Sequence, residues 1–249
     1  MNTKTLLIFL ALSLSLAAIT ACGDDDDNTN VEEGTLTVKV YGEEFIEDGI
    51  PADQMDDGWA VSFDHFVVSI DQVNVGGVAI PTPDPIDIVG QTSGSGHTLA
   101  TASVPVGTHD KPSYAITRIK LAGTATKGDV TKAFDFKFEE TTHYADCETS
   151  TTVEDDANAT FEITVHADHL FADSLVSETP RLVFQALADA DADDDGNITQ
   201  AELEAADLGS YDPGSQGGID NLWAFLSAQS QSVGHVDGEG HCHAHTSPN

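Results

Sequence analysis

Phe134-Asp135-Phe136-Lys137-Phe138-Glu139 puts an aromatic ring at every even position and a charge at every odd one. Successive side chains of an extended strand point to opposite faces, so this stretch predicts a strand with one buried and one solvated side. The same period continues outward in both directions. Leu36, Val38 and Val40 alternate with Thr37, Lys39 and Tyr41, and Phe161, Ile163 and Val165 alternate with Glu162, Thr164 and His166. Between them, Trp59 to Val75, Thr98 to Val106 and Tyr114 to Leu121 are rich in β-branched or aromatic residues, which suit a pleated, half-buried surface. Gly76-Gly77, the Pro81 to Pro85 cluster, Gly94 to Gly96 and Gly107 supply turn chemistry. No helical period interrupts the run, so residues 35–170 predict a β-sandwich or β-barrel domain.

After His166 the period changes, and residues 171–232 predict a small helical unit. Thr179-Pro180 offers an N-cap with proline at the first helical position, starting a helix that continues to Ala190. A second helix is expected from Ile219 to about Ala228, burying Leu222, Trp223, Phe225 and Leu226. The fold class is therefore a β-rich domain followed by a helical segment.

Charge narrows the partners. Among 249 residues, 43 are Asp or Glu and only 9 are Lys or Arg, a formal net charge of −34. A phosphate backbone needs clustered Lys and Arg, so nucleic acid is excluded, and direct docking on anionic lipid is disfavoured. With 40% hydrophobic residues the chain has enough apolar content to fold. Its natural small partners are cations. The acidic loop from Glu43 to Asp57 and the group Glu154 to Asp156 are expected to be mostly solvated surface.

Between the two predicted helices lies Asp191-Ala192-Asp193-Asp194-Asp195-Gly196-Asn197-Ile198-Thr199-Gln200-Ala201-Glu202. This stretch resembles the calcium loop of the EF-hand at each diagnostic position. The resemblance implies Asp191, Asp193 and Asp195 as carboxylate ligands and Asn197 as a backbone-carbonyl ligand. Thr199 would contribute its hydroxyl or a bridging water, and Glu202 would close the shell with both oxygens. Gly196 falls where the loop turns sharply and sets Asp191 as its first position; a start at Asp189 would end on Gln200, which has no carboxylate. The competing reading is a solvated acidic turn followed by a Thr199/Glu202 capping box. The resemblance spans Pro180 to Leu208. Asp212 to Trp223 keeps Gly217 and Ile219 at matching offsets but lacks the acids and the closing glutamate. One calcium site is thus expected, with a dissociation constant of roughly 10⁻⁴ to 10⁻³ M, as in extracellular modules.

The N-terminus sets the compartment. Residues 1–21 combine Lys4 with an apolar run from Leu6 to Ala18 and then small residues, the pattern of a secretory signal peptide. Ile19-Thr20-Ala21-Cys22 resembles the lipobox of bacterial lipoproteins, which implies lipidation of Cys22 and export to the cell envelope, with the outer membrane as the expected destination and the lipid as the sole membrane attachment. Residues 22–34, with Asp24 to Asp27 in a row, form an acidic linker. Lipidated Cys22 leaves Cys147 and Cys242 in a disulfide-permissive compartment. A disulfide between them is expected; metal thiolates and free thiols are the alternatives.

The C-terminal stretch 233–249 is rich in histidine. His235, Asp237, Glu239, His241, His243 and His245 all have odd numbers, so on one extended strand they would share a face, with Cys242 opposite. His166 and His169, and His143 near Cys147, could join them. Imidazole clusters suit zinc or copper. No nucleophile elbow, zinc-protease motif or phosphate-binding loop is present, so no enzyme is expected. Three functions follow: an envelope-anchored calcium-binding lipoprotein, a copper- or zinc-binding protein of the periplasm or surface, and a calcium-stiffened adhesion module whose protein or glycan partner the sequence does not name.

Overall fold

The computed structural model describes residues 31–83 and 85–246. The predicted signal peptide, Cys22 and most of the acidic linker lie outside the described residues. In chain order the strands are β1 (Glu33–Gly42), β2 (Ala60–Val75), β3 (Val78–Ile80), β4 (Ile86–Asp87), β5 (His97–Pro105), β6 (Gly107–Asp110) and β7 (Ser113–Lys127). They continue as β8 (Val130–Phe138), β9 (Thr142–Ala145), β10 (Ser150–Val153), β11 (Asn158–Val165), β12 (Asn197–Ile198), β13 (Gly234–Val236) and β14 (His243–Thr246). Among the described residues four short α-helices accompany them: α1 (Glu44–Glu47), α2 (Gln185–Asp189), α3 (Gln200–Ala205) and α4 (Leu222–Gln229), with a 3₁₀ turn at Asp168–Phe171.

The β-rich domain expected from the alternation is present. One sheet runs β13-β11-β1-β5, the larger contains β12-β8-β7-β2-β3, and β6 pairs with β10. Strands β4, β9 and β14 extend the larger sheet through β2, β7 and β9. Both sheets are open, which fits a sandwich rather than a closed barrel. Their buried faces share one hydrophobic cluster, and Tyr114 of β7 meets Phe161 of β11 at 6.5 Å between ring centroids. Phe134, Phe136 and Phe138 are all buried while Asp135, Lys137 and Glu139 are exposed, as the period of two requires.

Residues 171–232 do not form a separate body. Phe184, Leu187, Leu203, Phe225 and Leu226 belong to the same cluster as the strands. Trp223 stacks on Phe138 at 4.9 Å, and Phe184 lies 6.1 Å from Phe134. The phenylalanine face of β8 is thus covered by the helical segment.

The helix starts differ from expectation. Arg181 does not open a helix, because its side chain and backbone N–H both bind Asp173 and its carbonyl accepts from Asp173 N–H. That pairing holds 181–182 extended. Helix α2 begins at Gln185, where Asp57 accepts from the backbone N–H groups of Phe184 and Gln185 at 2.6 and 2.7 Å. The cap expected from Thr179 is supplied instead from more than a hundred residues away. Helix α4 begins three residues later than Ile219, because Asn221 caps it by accepting from Ala224 N–H.

The histidine-rich stretch is woven into both sheets. β13 pairs antiparallel with β11, and β14 pairs antiparallel with β9. Asp237 and Gly238 take positive φ, and Val236 bridges to Gly240, so a tight turn separates the two strands. Cys147 and Cys242 form a disulfide, and Glu148 N–H donates to the His241 carbonyl beside it.

Candidate metal centres

The acidic loop is anchored on β8, the strand of alternating phenylalanines. Asn197 and Ile198 pair in parallel with Ala133 and Phe134 of β8, and Ala133 N–H donates to the Gly196 carbonyl at 2.7 Å. Ile198 enters the core, which ties the loop to the sheet through one side chain and its ladder. Gly196 adopts φ +86°, a left-handed conformation that costs glycine little. Thr199 caps α3 in a reciprocal capping box with Glu202, satisfying two otherwise orphaned backbone donors.

Asp191, Asp193 and Glu202 each bring a carboxylate oxygen within 4.8 Å of the others, a group that could hold a metal ion. The Asp191 side chain is 0% exposed, and its Oδ1 is buried with no hydrogen-bond partner. Its Oδ2 accepts from Lys132 Nζ and from Gly196 N–H. The Lys132 ammonium, opposed by burial and aided by Gly196, holds the Asp191 carboxyl below the usual carboxylate range. Glu202 is also held low, by the Thr199 N–H and hydroxyl and, against burial, by Ala192 N–H. Two of the other predicted ligands, Asp195 and Thr199, are engaged within the loop and its helix cap. Asp195 accepts from Asn197 N–H and side-chain Nδ2, and Thr199 is committed to the cap.

The histidines divide into two groups. Strands β1 and β11 run parallel with Gly42 opposite Val165, so the next residues, Glu43 and His166, emerge together. Their side chains meet at 3.1 Å through His166 Nδ1 and Glu43 Oε2. In β13, His235 lies opposite Thr164, and His166 follows two residues on, where the alternation of the strand returns to the same face; the His235 and His166 rings meet at 4.2 Å between centroids. The 3₁₀ turn adds His169, 5.0 Å from His235 and 5.5 Å from His166. His166, His169 and His235 each place a ring nitrogen within 4.8 Å of the others. His241 approaches His235 at 5.3 Å from the solvent side.

His243 and His245 are not part of this group. The turn at Asp237-Gly238 breaks the odd-number register, and β14 carries both to the larger sheet. There His245 stacks on His143 at 5.3 Å, and His243 lies 3.8 Å from Asp146. Both are exposed.

Electrostatics distinguishes the three clustered rings. Burial disfavours charge on His166, but the Glu43 hydrogen bond and charge, with the Gly238 carbonyl, outweigh it and raise its pKa. His169 is lowered, chiefly by burial. Burial, reinforced by the neighbouring imidazoles, pushes His235 down to about 3, so it is neutral at ordinary pH.

Sequence reasoning did not single out Lys132, Asp57 or Ser232. Lys132 stands at the edge of an alternating strand like any solvated lysine. The position of Asp57 in an acidic loop says nothing of a distant helix. Ser232 meets His169 Nδ1 at 3.1 Å only because α4 returns the chain to the 3₁₀ turn. No protein-family model, curated protein or solved structure matches this chain.

Proposed function

We propose that this chain is an envelope-anchored calcium-binding lipoprotein in which calcium occupies the loop 191–202 and plays a structural or sensing role. The observation that carries the reading is Asp191. Its carboxylate is fully buried, and although Lys132 and Gly196 bind Oδ2, its Oδ1 has no partner; grouped with Asp193 and Glu202, that oxygen is costly to bury unless a further cation completes the set. Oxygen-only donors in a flexible loop favour a hard ion of calcium's size. On binding, Asp195, Asn197 and Thr199 would turn toward the ion. The resulting clamp joins α2 and α3 to the edge of β8, with Ile198 as its apolar anchor. In this reading Cys22 carries the lipid, and the acidic linker that precedes β1 (Glu33–Gly42) holds the folded part away from the bilayer.

Calcium titration of the full-length chain, followed by calorimetry and native mass spectrometry, tests the proposal. One calcium should bind with a dissociation constant of roughly 10⁻⁴ to 10⁻³ M and raise the thermal midpoint. Glu202→Gln should weaken it by at least about tenfold, because it removes the closing charge. Absence of any calcium-dependent change at millimolar concentrations, or full binding by Glu202→Gln, would overturn it.

A further inference from the structure

We propose a second metal site, built from His166, His169 and His235, that takes zinc. It shares no residue with the calcium loop and stands independently of it.

Three strand and turn ends converge to make the site. His166 follows β11, His235 lies in the adjacent β13, and His169 sits in the 3₁₀ turn. His166 and His235 are 3% and 5% exposed. The Nδ1 atom of His235 is buried with no hydrogen-bond partner, an interior ligand atom with nothing to bind. Scattered surface histidines need no such explanation, but three imidazoles in mutual contact, two of them fully interior, do.

The surrounding groups already orient the rings. Glu43 engages His166 Nδ1, and Ser232 Oγ engages His169 Nδ1. Each contact leaves Nε2 as the atom to coordinate, the arrangement in which a carboxylate or hydroxyl behind a histidine sets its tautomer and strengthens it as a ligand. His166 Nε2 now meets the Gly238 carbonyl at 3.0 Å. Metal binding exchanges that contact for a coordinate bond and releases the ring proton to solvent.

Gly234 makes the approach possible. A Cβ there would lie 2.5 Å from the Tyr144 ring and 2.7 Å from the Tyr114 hydroxyl. The adjacent His235 carbonyl accepts from Tyr114. Strand β13 therefore rests directly on two stacked tyrosines, and His235 is held by a rigid support.

Zinc fits this donor set better than the alternatives. Zinc–nitrogen bonds of about 2.0–2.1 Å in a tetrahedron put ligand nitrogens about 3.3 Å apart, a modest closure from the present spacing. Calcium prefers oxygen, and soft copper(I) prefers thiolates. Both described cysteines are locked in their disulfide. Exposed His241 and Glu239 flank the mouth, beside a cleft lined by Asp168, His169, Ser232 and His241. That cleft supplies the entry path and room for a fourth ligand.

The test is zinc chloride titration of the full-length protein, read by native mass spectrometry and competition with a colorimetric chelator. Cobalt(II) spectroscopy of the unaltered protein runs alongside. One zinc should bind, and cobalt should give the intense visible bands of a tetrahedral site. His169→Gln and His235→Gln should each weaken zinc by at least about 10²-fold. The double change His243→Ala/His245→Ala, and Glu202→Gln, should leave it unchanged. Loss of zinc in the His243→Ala/His245→Ala protein would instead assign the metal to the exposed strand and overturn the proposal. So would copper(II) binding without zinc, or octahedral cobalt spectra. Should His235→Gln fail to fold, His169→Gln and the cobalt spectrum still decide the matter.

Discussion

Asp191 and Lys132 form the most consequential pair of residues in the molecule. The lysine reaches over from β8 and places its ammonium on the first carboxylate of the acidic loop. Asp194 and Asp195 add to the negative field that raises the Lys132 pKa, after the Asp191 hydrogen bond itself and against burial. In the proposed calcium site this ammonium is a competing cation at close range. Lys132→Met should therefore tighten calcium by about tenfold, the scale of one partly screened charge at contact distance. It should also make the calcium-free protein less stable, since Asp191 would lose its internal counter-charge. Calorimetry and thermal melts with and without calcium measure both effects. Unchanged affinity would mean that Lys132 serves only the β8 edge.

At the scale of elements, the short helices depend on partners far away in sequence. A five-residue helix has too few internal hydrogen bonds to persist alone. Helix α2 survives because Asp57 satisfies two of its N-terminal donors and Phe184 and Leu187 are buried. Asp57→Ala should cost about 1 to 2 kcal/mol in urea denaturation, the usual range for losing an N-cap. Asp57→Asn should recover part of it. A loss below a few tenths of a kcal/mol would show that burial alone sets the helix. Strand β12 makes the same point. Two residues of strand are stable only because β8 offers an open edge on which the loop can complete a ladder.

For the whole molecule, Tyr114 and Tyr144 are the stacked pair that joins the larger sheet to the returning C-terminal strand, 4.8 Å apart. Tyr144 donates to the Gln231 carbonyl and accepts from Gly234 N–H. Burial raises the pKa of both above the ordinary value of 10.0, and the same holds for Tyr211. In the unfolded chain these phenols ionise near pH 10, while in the folded chain they keep their protons. Above that pH the unfolded state binds fewer protons, so stability falls as pH rises through the folded values. Each tyrosine contributes up to about 1.4 kcal/mol per pH unit in that window. An alkaline titration should show their phenolate absorbance appearing together with loss of near-ultraviolet circular dichroism. Ionisation near pH 10 with the fold intact would contradict that burial.

The strands, the acidic loop and the histidine-rich stretch are all legible in the primary structure, because each rests on local chemistry. Alternation needs only the pleat, and the turn at Gly196 needs only a residue tolerant of positive φ. The division of labour among these parts is not legible. Whether His235 belongs with His166 or with His245 depends on a turn at Asp237-Gly238 and on which sheet receives each arm. Whether Arg181 begins a helix depends on Asp173, which competes for its backbone. The cap on α2 comes from Asp57, and the cation on Asp191 from Lys132. Such pairings arise from long-range register and burial, in which unpartnered polar groups are matched only when the sheets close over them. Residue identity thus supplies the carboxylates and imidazoles, and the tertiary structure chooses which of them meet.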